Sequence, residues 1–196
     1  DGRAHALNPA IKDALKSWLL VLERGRPRPI RELRPGPADV VFFSDGFAPD
    51  KGEDQSLPPR VGAVMFAWWR QNPVGVGKIV PGNLIKTWIP RKNQIALIEI
   101  FGAVQFMAHY GPEIPGKSVT LLIDSQGALD ALMKGQSKFE DVIKLVKVFW
   151  DLVADHSVDV YVDRVPTDAN PSDGLSRGKV REAVSRGWIV EETKFD

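Results

Sequence analysis

The sequence predicts an α/β protein: a five-stranded mixed sheet flanked by helices, with an N-terminal helical arm. Three observations predict it. Short runs of β-branched and aromatic residues, bounded by Pro, Gly and Asp, recur at 39–45, 60–69, 74–80, 118–124 and 158–162. Apolar residues at helical spacing occupy 93–110, 128–134 and 140–155. The first three strands follow one another directly and so pair as antiparallel neighbours, whereas the later ones return through helices and run parallel.

Taken in order, Asn8-Pro9 starts a helix over 10–23, where Ile11, Leu15, Trp18, Leu19 and Leu22 share one face. Arg26-Pro27-Arg28-Pro29 and Pro35-Gly36-Pro37 break regular structure, so 1–37 reads as an arm and 38–196 as the main domain. Val40, Val41, Phe42 and Phe43 form a buried strand that ends in Asp45, and 47–59 is loop. The third strand is weakened by Gly75 and Gly77. The helix over 140–155 places Val142, Leu145, Val146, Phe149 and Val153 opposite Lys144, Lys147, Asp151 and Asp155. A last helix starts at Asn170-Pro171.

Composition excludes several chemistries. At roughly 150 residues per domain, a chain of 196 residues is one domain plus an appendage. No cysteine is present, which removes disulfides, thiolate zinc sites and cysteine nucleophiles. The three histidines, His5, His109 and His156, are scattered, so a metal here must be held by carboxylates. The longest run without a polar residue, 61–69, is far short of the roughly 20 a membrane helix needs. There is no signal pattern and the chain begins with Asp1, so it reads as an excerpt of a longer, intracellular protein, cytoplasmic and nuclear being equal.

The net charge of +1 hides an uneven distribution. Residues 56–98 contain no acid but carry Arg60, Arg70, Lys78, Lys86, Arg91 and Lys92, with Trp68, Trp69 and Trp88 among them. Arg24, Arg26, Arg28, Arg31 and Arg34 form a second cluster. Such one-sided positive charge is the expected footprint of a polyanion-binding face. Trp69 is assigned to the core; Trp68 and Trp88 are open.

Four acids stand where acids are unusual. Asp45 and Asp124 each close a nearly all-apolar strand, at the edge where α/β sheets gather ligands. Singly, each is also a turn former or cap. Glu99 is the only carboxylate in an otherwise apolar helix, where a buried glutamate needs a partner or a proton. Asp173 follows Asn170-Pro171 in a first helical turn, which alone is ordinary. Together the four can converge on one end of the sheet, where they would repel unless cations neutralised them. Oxygen ligands without His or Cys favour Mg²⁺, with Mn²⁺ as substitute. Two ions about 4 Å apart clamp both the attacking and leaving oxygens of a phosphodiester.

At these residues the chain resembles the ribonuclease H domain of retroelement reverse transcriptases. The matching pieces are Ser44-Asp45-Gly46, 94–99 ending in Glu99, Asp124-Ser125-Gln126-Gly127-Ala128, and Asn170-Pro171-Ser172-Asp173-Gly174-Leu175-Ser176-Arg177. The acids lie 54, 25 and 49 residues apart (45 to 99, 99 to 124, 124 to 173), the first interval lengthened by the 47–59 loop. The resemblance covers about 38–178 and implies a ribonuclease H-like fold. It implies a metal-dependent endonuclease that cuts the RNA strand of RNA–DNA hybrids, with a polymerase domain joined upstream. By the same resemblance Asp45 bridges two Mg²⁺ ions and Asp173 completes the ion that activates water. Glu99 and Asp124 hold the ion at the leaving 3′ oxygen, and products carry a 5′ phosphate. Ser44, Gly46, Ser125 and Gln126 are candidates for touching the hybrid, as are the bases Arg60 and Arg70, although turn and strand-end roles explain the first four as well.

Two features depart from that pattern. The loop histidine that many members carry before the last aspartate is absent from 163–172, and His156 reads as a surface or helix-end residue. Only 135–139 separates the two central helices, which leaves no room for an extra basic helix, so 60–92 is the substitute handle. Two other readings share the fold: a non-catalytic nucleic-acid-binding or scaffolding domain, and a transposase or integrase. The latter usually ends its acid set with a late glutamate, where this chain has Asp173.

Overall fold

The computed structural model describes residues 7–24, 37–49, 57–91 and 94–191. The linker bases Arg26, Arg28, Arg31 and Arg34, much of the 47–59 loop, and Lys92 lie outside them. The chain divides into two compact units, 1–35 and 36–196. The first contains α1 (Pro9–Arg24), whose first helical bond runs from the Lys12 amide to the Asn8 carbonyl.

The second unit is built on one sheet. Its strands are β1 (Val40–Phe47), β2 (Arg60–Ala67), β3 (Val74–Ile79), β4 (Ser118–Ile123), β5 (Asp159–Arg164) and β6 (Ile189–Val190). Their spatial order is β5-β4-β1-β2-β3-β6. β1–β2 and β2–β3 are antiparallel, while β1–β4 and β4–β5 are parallel, as the connections require. The sheet has six strands, not five. β6 escapes the sequence pattern because it is two residues long, held on β3 by the Ile189 amide to the Pro73 carbonyl and the Glu191 amide to the Gly75 carbonyl.

Alternation along β1 separates two covering layers. Phe42 and Ser44 face α3 (Ile95–Tyr110): Phe42 stacks on Phe106 with centroids 3.6 Å apart, and Ser44 Oγ lies against Gly102. α3 also packs against α4 (Gln126–Lys134) and α5 (Glu140–Asp155). Val142, Val146, Phe149 and Val153 of α5 are buried, as the periodicity requires. On the opposite face, short helices α6 (Asp173–Ser176) and α7 (Val180–Ser185) close a small second core of Val64, Leu175 and Ala183, backed by Trp188 and Val190. A further short helix, α2 (Gly82–Ile85), follows β3.

Three local expectations change. The helix expected from Asn170-Pro171 starts at Asp173 and is followed by α7, because Asn170 directs its side chain to Ser44 and Ser172 and a 3₁₀ turn precedes it. Trp69 is 39% exposed, since β2 ends at Ala67 and leaves both Trp68 and Trp69 in the turn beneath Lys117, whereas Trp88 is buried. The bases of 60–92 do not form one face. Arg60 and Lys78 flank the acid end of the sheet, Arg70 the other end, and Arg91 is ion-paired to Asp141 at 2.6 Å. Among the described residues no helix is long and apolar enough to cross a membrane.

Candidate active site

Parallel pairing of β1 with β4 sets Ser44 beside Ile123, so the next residues, Asp45 and Asp124, leave neighbouring strands together. β1 runs two residues past Asp45 because β2 continues to pair with it, Asp45 opposite Gly62 and Phe47 opposite Arg60. Asp45 is consequently 4% exposed. At the end of β4 it is Ser125, not Asp124, that caps the following helix, its hydroxyl accepting from the Ala128 amide at 3.3 Å. Asp124 is therefore free of the capping role that would explain it away. Its Oδ1 is buried without a hydrogen-bond partner.

Glu99 comes from the second turn of α3 and is 1% exposed. α3 approaches β1 closely enough that a Cβ on Gly46 would lie 3.0 Å from Glu99 Cγ. Its carboxyl faces the Ser125 amide, which donates to Oε2 at 3.1 Å, together with Asp124 and Asp45. Burial, then the charge of Asp124, pushes Glu99 up to about 9 despite the Ser125 amide; a hydrogen bond to Asp124 acts in the same direction. Burial also pushes Asp45 up to about 6, with the charges of Asp124 and Asp173 adding to it and the Ser176 hydroxyl and Arg177 opposing.

Asp173 arrives from the opposite face, and three glycines decide its position. A Cβ on Gly62 would fall 2.3 Å from the Ser176 amide nitrogen and 2.5 Å from the Ser172 carbonyl oxygen. One on Gly77, the cross-strand partner of Gly62, would meet the Leu175 carbonyl oxygen at 2.8 Å, and one on Gly75 the Leu175 Cδ1 at 2.9 Å. The glycines that weaken β3 as a strand are thus a flat seat for α6. Asn170, buried, ties the approach to β1: Nδ2 donates to the Ser44 carbonyl at 3.0 Å, and Oδ1 accepts from the Ser172 amide and hydroxyl. Asn170→Ala should leave the buried Ser44 carbonyl and Ser172 groups unsatisfied, costing about 1–3 kcal/mol. Chemical denaturation is the measure, and a change below about 0.5 kcal/mol would show the clasp to be dispensable.

The structure thus draws Asp45, Glu99, Asp124 and Asp173 to one end of the sheet. Among the described residues no three acidic or histidine side chains already form a metal-ligand group. On the Asp173 side the carboxylate instead accepts from Arg177 Nε at 2.8 Å. The donors nonetheless suit a hard divalent cation. A buried Asp124 oxygen lacks a partner, and burial with like charge keeps a proton on Glu99 that a cation would replace. Asn170, Gly62 and Gly77 position the site without belonging to its acids: the sequence marked Asn170 as a helix start within the matching 170–177 piece and Gly77 as a strand breaker, and gave no signal for Gly62.

The weaker candidates divide. Ser44 is fully buried beneath Gly102, out of reach of a ligand, because its side chain points into the α3 layer. Gly46 backs onto Glu99, so its lack of a side chain serves helix packing. Ser125 lies at the site as cap and as Glu99 donor. Gln126 is exposed beside it, bonded to Asp130 at 2.9 Å. Arg60 stands at the acid end with its guanidinium alongside Gly178. Arg70 is at the opposite end, paired with Glu113 at 3.0 Å, since β2 runs antiparallel to β1 and carries it away. His156 caps α5 against Gly111, also away from the acids.

No family model and no curated protein matches this sequence. Solved structures do match its fold. The N-terminal ribonuclease H domain of a Mycobacterium tuberculosis protein, solved as a fusion with maltose-binding protein, is 16% identical with a TM-score of 0.50. The alignment covers 77% of this chain and 99% of that one. RNase H1 of the halophilic archaeon Halobacterium salinarum NRC-1 is 15% identical with a TM-score of 0.51, covering 74% and 98%. LC11-RNase H1, solved with an RNA/DNA hybrid, is 13% identical with a TM-score of 0.51, covering 74% and 99%. At such identities the likeness is one of architecture, and it agrees with the strand order and helix placement above: this chain has the fold of those ribonuclease H domains.

Proposed function

We propose that the chain is a divalent-metal-dependent endonuclease that hydrolyses the RNA strand of RNA–DNA hybrids, as one part of a reverse transcriptase polyprotein. The observation that carries it is the gathering of Asp45, Glu99, Asp124 and Asp173 from both faces of the sheet at one end. The retroelement-like Asn170-to-Arg177 ending supports the polyprotein part, with an upstream polymerase domain and an intracellular place of action.

Asp45, Glu99, Asp124 and Asp173 are the residues that would hold Mg²⁺ or Mn²⁺. Bound there, such ions supply a Lewis acid that activates water and stabilises a leaving 3′ oxygen, leaving a 5′ phosphate. Glu99 must release the proton that burial keeps on it, and Asp124 offers its unpartnered oxygen. Asn170 and the glycine seat hold Asp173 opposite Asp45. With no histidine in 163–172, proton transfer falls to these carboxyls and to solvent.

The test is a strand-labelled hybrid incubated with Mg²⁺ and either the full chain or Asp124→Asn. Cleavage of the RNA strand by the parent, reduced at least about 100-fold in the variant, is expected. Equal cleavage by both, or intact RNA with the parent, would refute the proposal.

A further inference from the structure

We infer that Arg177 is a resident counter-cation of the site: it holds Asp173 by an ion pair, and a divalent ion binding there has to displace it. The inference rests on the metal-dependent reading above. Arg177 ends α6, four residues after Asp173, and its Nε donates to Asp173 Oδ1 at 2.8 Å. Its guanidinium carbon lies 5.3 Å from the centre of the Phe47 ring, and Phe47 stands two residues beyond Asp45 on β1. One positive charge therefore pairs directly with Asp173 and reaches toward Phe47, two residues along the strand from Asp45.

The arrangement is suited to exchange. The Arg177 side chain is 43% exposed, so it can turn outward without opening the core. An ion pair this exposed is weak, well within what a divalent cation can overcome. The guanidinium thus relieves, in the ion-free state, part of the Asp45–Asp173 repulsion that a metal would relieve in the loaded one. The cost is competition: every ion that takes up Asp173 must break this pair and leave a second positive charge close by. Once turned out, the same guanidinium is suited to a backbone phosphate.

The full chain, without nucleic acid, is titrated with Mn²⁺ by calorimetry. Arg177→Met and Arg177→Gln, two neutral replacements of different shape, should each bind Mn²⁺ roughly three- to tenfold more tightly than the parent. Arg177→Lys, which keeps the charge, should stay near the parent. A residue that merely braced Asp173 would give the opposite sign, weaker binding in both neutral variants. Unchanged or weakened Mn²⁺ binding in them, with the parent still binding, overturns this inference alone. No Mn²⁺ binding by the parent and the neutral variants alike overturns the metal-dependent reading and the inference with it.

Discussion

Glu99→Gln should abolish hydrolysis of the RNA strand and at the same time raise the stability of the ion-free protein above neutral pH. The two effects have one cause. Glu99 is buried beside Asp124 and Asp45, and its carboxyl keeps its proton up to about 9 in the folded chain. In the unfolded chain the same group ionises near its ordinary value of 4.5. The folded state therefore binds the proton more tightly, and linkage fixes the sign. The contribution of Glu99 is fully present below 4.5 and is lost progressively as pH rises toward 9. Asp45 acts the same way over the narrower window from 3.8 to about 6. Glutamine matches the size of the protonated acid and cannot ionise, so the decline should flatten. A gain of a few kcal/mol at pH 8 corresponds to roughly 5–15 °C in Tm for a domain of this size. Thermal melts of both proteins across pH 5 to about 9 decide it, and parallel melting curves would show Glu99 to be compensated in some other way.

The same proton should make the proposed ion binding depend on pH. On the proposed function a cation at Glu99 would displace one proton, so Mn²⁺ affinity should rise about tenfold per pH unit between about 6 and 9 and level off above it. Glu99→Gln should remove that slope along with most of the affinity. Loss of turnover of about 1,000-fold or more is expected, since under the proposed function the interaction removed is one the reaction would require.

Gly62→Ala should damage both stability and turnover. The added carbon would lie 2.3 Å from the Ser176 amide and 2.5 Å from the Ser172 carbonyl, both backbone atoms that no rotamer change can move aside. Either β2 bends or α6 lifts from the sheet, and overpacking of this kind costs about 1–3 kcal/mol. Lifting α6 moves Asp173, and displacements near 1 Å at a reacting centre cost about 100-fold in rate. Gly82→Ala is the control, because open space surrounds that position in α2 and the variant should keep parental stability and turnover. Parental turnover in Gly62→Ala would mean that α6 does not need its seat to present Asp173.

These expectations also separate local from distant information. Strand and helix periodicity was enough to locate β1, β4 and α5, because burial of one face imposes its period on the chain itself. Glu99 stood out for the same reason, a charge inside an apolar period. Gly75 and Gly77 carried a signal that local reading turned the wrong way: they look like weak strand, and their meaning lies in Leu175, about a hundred residues later. Trp69 and Arg70 were misplaced because a hydrophobic or basic run does not say where its strand stops or which end it reaches.

By itself, then, the sequence determined the α/β architecture, its mixed pairing and the four acids, all properties that a residue's own type and its near neighbours express. Tertiary structure alone decided that Ser44 is buried, that a two-residue sixth strand closes the sheet, and that Arg177 meets Asp173 beside Phe47. It also decided that glycines on two strands admit the turn bearing the last acid. Those outcomes depend on the closeness of backbones from distant parts of the chain, a distance that no local period encodes.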